Sequence, residues 1–156
     1  KIFAPNGESF IARGVNKMIF YQDRSGEESY REIARTGANI VRILWFTTGT
    51  AEELDVTLTN CIAHNMVAMP AVWEATGKWE RLQQCVDYWS REDIVAVIEK
   101  HKKYVLLNIA NEAGNHDVSP GDYRETYQNA VLKLRNAGIT VPLVIDSESG
   151  AGNSQG

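Results

Sequence analysis

Short apolar runs alternate along the chain with stretches whose apolar positions recur every three or four residues. The runs are Arg13-Gly14-Val15-Asn16, Asn39 to Leu44, Met66 to Val72, Tyr104 to Ile109 and Pro142 to Asp146. They begin at residues 13, 39, 66, 104 and 142, so successive starts lie 26, 27, 38 and 38 residues apart. Each interval holds a strand, a helix and their loops. The helices are predicted from Glu28 to Thr36, stopped by Gly37; after Thr50; around Leu82, Val86 and Trp89; around Ile94, Val97 and Ile98; and from Asp122 to Ala137, stopped by Gly138. Thr50 with Glu53 three residues on has the spacing of a capping box, and Leu54, Leu58 and Ile62 then mark one buried face. Near-continuous apolar strands separated by amphipathic helices indicate a parallel sheet covered by helices. Ahead of the first run, Ile2-Phe3 and Phe10-Ile11-Ala12 flank Pro5-Asn6-Gly7, which predicts an N-terminal β-hairpin over residues 1–12.

Two α/β architectures fit this alternation: an open doubly wound sheet, or half of a (β/α)8 TIM barrel with about five parallel strands. A nucleotide-binding sheet would carry a glycine-rich turn after its first strand. Val15-Asn16-Lys17-Met18 stands there instead, and Gly150-Ala151-Gly152 lacks a strand before it and a helix after it. The 156 residues suit one domain, with βα units over 13–146 and a flexible tail over 147–156.

Composition narrows the partners. Sixteen basic against 20 acidic residues leave a net charge of −4, which offers no field for nucleic acid or an anionic membrane surface. No apolar run approaches the roughly 20 residues that span a bilayer. The chain starts at Lys1 and not at Met, so its start is expected to have been processed or trimmed. Cys61 and Cys85 are too few for a disulfide scaffold, and the sequence leaves their pairing open. His64, His101 and His116 lack metal-ligand spacing, so neither a metal nor a cofactor is expected.

In a barrel, chemistry sits at the C-terminal ends of the strands. Those ends carry Asn16 and Lys17, Arg42 and Trp45, Trp73 and Glu74, Asn111 and Glu112, then Asp146 and Glu148. Aromatic rings, amides, an arginine and carboxylates together suit a sugar, whose C–H faces stack on rings and whose hydroxyls take polar partners. Structural roles are open for the same residues. Glu112 could serve the dipole of the following helix, Arg42 could form a buried ion pair, and Trp45 and Trp73 could be core.

The stretches Arg13-Gly14-Val15-Asn16, Thr36 to Ile43, Glu74-Ala75-Thr76-Gly77 and Asn108-Ile109-Ala110-Asn111-Glu112 stand in one colinear order. In that order they resemble glycoside hydrolase family 5, and within it the bacterial endo-β-1,4-mannanases. Leu134 to Ile139 followed by Leu143-Val144-Ile145-Asp146 extends the likeness. The resemblance implies a secreted, retaining endo-β-1,4-glycanase of mannanase or cellulase type acting on a β-linked polysaccharide or oligosaccharide. It implies Glu112 as general acid/base, Asn111 as the amide that bonds the sugar 2-hydroxyl, and Arg42 as the cation beside the nucleophile. Trp73, Trp45, Glu74 and Asn16 would then line the substrate cleft.

The resemblance also places the nucleophile on strand 7, beyond the five strands read here. Three cleft positions depart from the mannanase pattern: Lys17 and Trp73 replace histidines, and Ala113 replaces a tryptophan. The chain alone is therefore expected to be weakly active or inactive. A non-catalytic carbohydrate-binding half-barrel and an inactive structural fragment are the other readings. An open half-barrel leaves two strand edges unpaired, and a homodimer that closes the barrel is the simplest cover expected.

Overall fold

The computed structural model describes Phe3 and residues 7–147. Five strands form one sheet in sequence order: β1 (Gly14–Lys17), β2 (Ile40–Trp45), β3 (Val67–Val72), β4 (Leu107–Asn108) and β5 (Leu143–Val144). Every neighbouring pair is parallel. The helices between them are α1 (Ile19–Gln22), α2 (Glu27–Ala34), α3 (Ala51–Ala63), α4 (Leu82–Trp89), α5 (Glu92–Lys100) and α6 (Pro120–Asn136). This strand–helix alternation is the one the hydrophobic runs predict. The single-turn α1 is an addition, too short to leave a periodic signal.

The predicted N-terminal hairpin is not shown. Phe3 and Ser9 form one antiparallel bridge, but β1 joins the sheet parallel to β2, and Pro5 and Asn6 of the expected turn lie outside the described residues. So do Glu148 and the rest of the tail. Gly14 explains how closely β1 approaches its neighbour, since a Cβ there would sit 1.9 Å from the Ile40 carbonyl oxygen.

Helix boundaries follow their capping chemistry. Thr50 accepts the Glu53 amide at 3.2 Å while Glu53 Oε2 accepts the Thr50 amide at 3.0 Å, completing the predicted capping box of α3. Ser119 caps α6 in the same sense, with Pro120 at the first helical position, where a missing N–H costs nothing. This start lies two residues ahead of the predicted Asp122.

The alternation of a strand decides which side chains can reach the site. On β2, Val41, Ile43 and Trp45 enter the core, whereas Ile40 and Arg42 border an open hollow of about 290 Å³ on the other face. Met69 of β3 and Val15 and Asn16 of β1 border the same hollow. The core joins these strand residues to Leu54, Leu58 and Cys61 of α3, Leu82 and Trp89 of α4, Ile94 and Ile98 of α5, and Tyr127 and Leu134 of α6. Cys61 and Cys85 are unpaired and buried, and burial pushes each thiol up to about 12. Among the described residues no helix is long and apolar enough to cross a membrane.

Candidate active site

The C-terminal ends of β2, β4 and β5 meet in one polar network. Arg42 Nη1 donates to Asn111 Oδ1 at 2.7 Å, and Nη2 donates to Asn108 Oδ1 at 3.0 Å and to Asp146 Oδ2. The Arg42 and Asp146 side chains are only 14% and 21% exposed, so the pair sits in a largely dry setting. Asn108 Nδ2 donates back to Asp146 Oδ1 at 2.9 Å. Every charged or amide group here thus has a partner, as partly buried polar groups require.

Asn111 is held on all sides. Its amide N–H donates to the Val72 carbonyl at 2.8 Å, and its Nδ2 donates to Thr76 Oγ1 at 2.8 Å. The side chain is fixed in orientation with its residue only 2% exposed. Glu112 follows at φ 39°, one of two non-glycine residues with positive φ among those described. Both of its peptide groups are anchored, the N–H to Asp146 Oδ2 at 3.2 Å and the carbonyl by the Gly77 amide at 3.1 Å. Gly77 itself sits at φ +66°, a conformation its missing side chain allows. The Glu112 side chain is exposed, and no hydrogen bond holds its carboxylate among the described residues. The dry pocket in which a general acid works is therefore not built by these strands alone.

The other expected site residues divide. Asn16 is exposed on β1 and borders the hollow beside Arg42. Trp73 follows β3 half-buried, and continuing the strand alternation from Met69 puts it on the hollow's side. Glu74 is tied to the neighbouring loop: its Oε1 accepts the Thr47 amide at 2.6 Å and the Thr47 hydroxyl at 2.8 Å, while Oε2 is buried without a partner.

Trp45 does not join the site. It is fully buried among the helices, edge-on to Phe20 at 4.9 Å, with Nε1 donating to Tyr88 Oη at 2.8 Å. The reason is parity, because residues 42 and 45 point to opposite faces of one strand. Of the departures, Lys17 is half-buried at the end of β1 and Ala113 is fully buried, bridged to Thr76.

Three participants were not anticipated: Asn108, Thr76 and Tyr123, whose hydroxyl donates to the Asp146 carbonyl. Asn108 carried a signal, since an amide inside Leu106-Leu107-Asn108-Ile109 must find a buried partner. Among the described residues no group of three or more potential metal ligands gathers.

A sequential parallel sheet with helices between its strands and a polar floor at the strand ends defines part of a barrel of the TIM type. Its relatives agree. No protein-family model matches the chain. It is 34% identical over 154 residues to the mannan endo-1,4-β-mannosidase of Salipaludibacillus agaradhaerens, covering 94% of this chain and 49% of that one. It is 31% identical over 153 residues to the enzyme of the same name from Cellvibrio japonicus, covering 91% of this chain and 35% of that one. It superimposes on the mannohexaose complex of Thermomonospora fusca β-mannanase with a TM-score of 0.82 at 28% identity, covering 92% of this chain and 51% of that one. The chain is thus related to the family 5 endo-β-1,4-mannanases and spans between a third and a half of the length of these relatives.

Proposed function

We propose that the chain is the strand 1–5 portion of a secreted barrel that hydrolyses β-1,4-linked mannan, with Glu112 as general acid/base. One observation carries the reading: Arg42 from β2 holds the buried Asn111 amide at 2.7 Å, directly beside Glu112. That arrangement fixes the orientation of the Asn111 amide next to an exposed carboxyl group. Asn16 and Trp73 would border the bound sugar. The solved β-mannanase in complex with mannohexaose supports a manno-oligosaccharide as the ligand.

Retention needs a second carboxylate about 5–5.5 Å from the acid/base, and inversion one about 6.5–9.5 Å away. Asp146 is a poor nucleophile because Arg42, Asn108 and the Glu112 amide occupy both of its oxygens. Glu74 has Oε1 engaged by Thr47 and Oε2 buried away from solvent, so neither oxygen is open to a substrate. The second carboxylate is therefore assigned to strands other than these five, on the same polypeptide or another.

The strand count bears on the cover. Two copies would bring ten strands to a barrel that takes eight, whereas three further strands complete it. A homodimer is accordingly the weaker reading.

Mannohexaose hydrolysis tests the proposal. The chain alone should show negligible turnover, and supplying the three remaining strands should bring turnover that Glu112→Gln abolishes. Turnover that survives Glu112→Gln would overturn the assignment. Binding without turnover that survives Glu112→Gln and fails in Trp73→Ala would identify a carbohydrate-binding half-barrel instead.

A further inference from the structure

We infer that Asp146 is a positioning residue that holds the Glu112 backbone in its left-handed conformation. Glu112 lies at φ 39°, where a side chain is disfavoured and something outside the local sequence must maintain it. Two hydrogen bonds flank it. The Gly77 amide donates to the Glu112 carbonyl at 3.1 Å, and the Glu112 amide donates to Asp146 Oδ2 at 3.2 Å. The Gly77 contact is a backbone bond that follows from the path of the loop after β3. The Asp146 contact depends on one side chain.

Asp146 is itself rigidly placed. Arg42 shares its Oδ2, Asn108 holds its Oδ1 at 2.9 Å, and Tyr123 donates to its carbonyl. Its carboxylate therefore reaches across from β5 as a fixed acceptor for a charge-assisted hydrogen bond. Release of that bond lets the Glu112 peptide relax toward negative φ and redirects its side chain. Because Arg42 also holds Asn111, one ion pair aligns both residues of the Asn-Glu step. That Glu112 is a group worth aligning rests on the acid/base reading above, but the alignment itself can be measured without any turnover.

The variant is Asp146→Asn, which keeps the side-chain shape but loses the charge and one acceptor oxygen. In the folded chain, NMR of the Glu112 amide should show an upfield shift and solvent exchange faster by about tenfold, the loss expected for a hydrogen bond to a charged acceptor. The φ-sensitive coupling of Glu112 should leave its left-handed value. Amides of Val41 and Val72 in the central strands should keep their exchange rates. A second variant separates positioning from a simple ion pair. Glycine adopts positive φ without strain, so Asp146→Asn should lower the melting temperature less in a Glu112→Gly background than in the parent. An unchanged Glu112 coupling and exchange rate in Asp146→Asn would overturn the inference. So would equal melting-temperature losses in the two backgrounds.

Discussion

The middle of the sheet and its margins are built from similar apolar runs, yet they reach different states. β2 and β3 pair along six residues each, from Ile40 with Val67 to Trp45 with Val72, and helices bury their outer side. At one margin, Gly14, Val15 and Asn16 of β1 are exposed. At the other, β5 has two residues, and Ile145 and Leu132 of α6 stand exposed beside a surface groove of about 880 Å³ that Tyr123 and Val131 also border. The centre is thus held by contacts within the chain, whereas among the described residues the margins leave apolar side chains exposed. The polar network lies across this divide, anchored on β2 and completed by Asp146 beyond β5.

The largest effect is expected at the centre. Trp45→Ala removes a fully buried ring, its edge-on contact with Phe20 and its hydrogen bond to Tyr88, and should lower the unfolding free energy by about 3–5 kcal/mol. Urea denaturation measures it. A loss below about 1 kcal/mol would mean that the centre is no better packed than the margins.

Next comes the network that joins the two regions. Arg42→Met leaves the Asp146 carboxylate without its cation and Asn111 Oδ1 without its donor. Breaking a buried pair costs about 3–5 kcal/mol; the residual exposure of 14% and 21% here reduces the expectation to about 2–4 kcal/mol. The same denaturation experiment applies. A neutral result would show that the margin carrying Asp146 is loosely attached to β2.

These two residues also show how far the sequence was legible. The strand–helix order could be read because each unit is a local pattern, and the capping box of α3 spans only Thr50 to Glu53. Trp45 stays open between cleft and core in the sequence because β2 is apolar on both faces, so its alternation is nearly hidden and Arg42 alone marks the inner side. Counting by twos from Arg42 would have sent Trp45 into the helix layer. The Asn111-Glu112 step could be located, but not its environment. Arg42 and Asp146 are 104 residues apart, and neither the positive φ of Glu112 nor the threefold use of the Asp146 carboxylate follows from neighbouring residues. The hairpin expectation rests on a turn signal between two short apolar runs, which does not decide whether those runs pair with each other.

Acid should act mainly on the helix layer and only modestly. Burial would raise the Asp55 pKa, but hydrogen bonds from Lys100 and His101 outweigh it and hold the group below its ordinary 3.8. Burial at Asp23 is likewise outweighed by the Ser29 amide and hydroxyl, and Asp87 is lowered by Lys133 and Gln83. A carboxylate whose folded pKa is depressed stabilises the fold fully above its unfolded value, and that contribution disappears as pH falls through the folded value. The melting temperature should therefore drop as pH decreases below about 4, and Asp55→Asn should flatten part of that slope. Each contribution is at most about 0.5 kcal/mol because the pairs are partly exposed. A melting temperature that rises from pH 5 toward pH 3 would contradict this.

The smallest effect belongs to the margin and is the most informative about it. Leu132 is 60% exposed on α6 and borders the groove beside β5. In the uncovered chain Leu132→Gln exchanges one solvated side chain for another, and the unfolding free energy should change by less than about 0.5 kcal/mol. Were a partner surface or further strands seated on this groove, the same substitution would bury an amide against apolar groups and cost about 1–3 kcal/mol. Denaturation of Leu132→Gln, carried out before and after the three completing strands are supplied, therefore reports on cover directly. A loss of about 2 kcal/mol in the chain by itself would show that this margin is already occupied, and the contrast between centre and margin would fail.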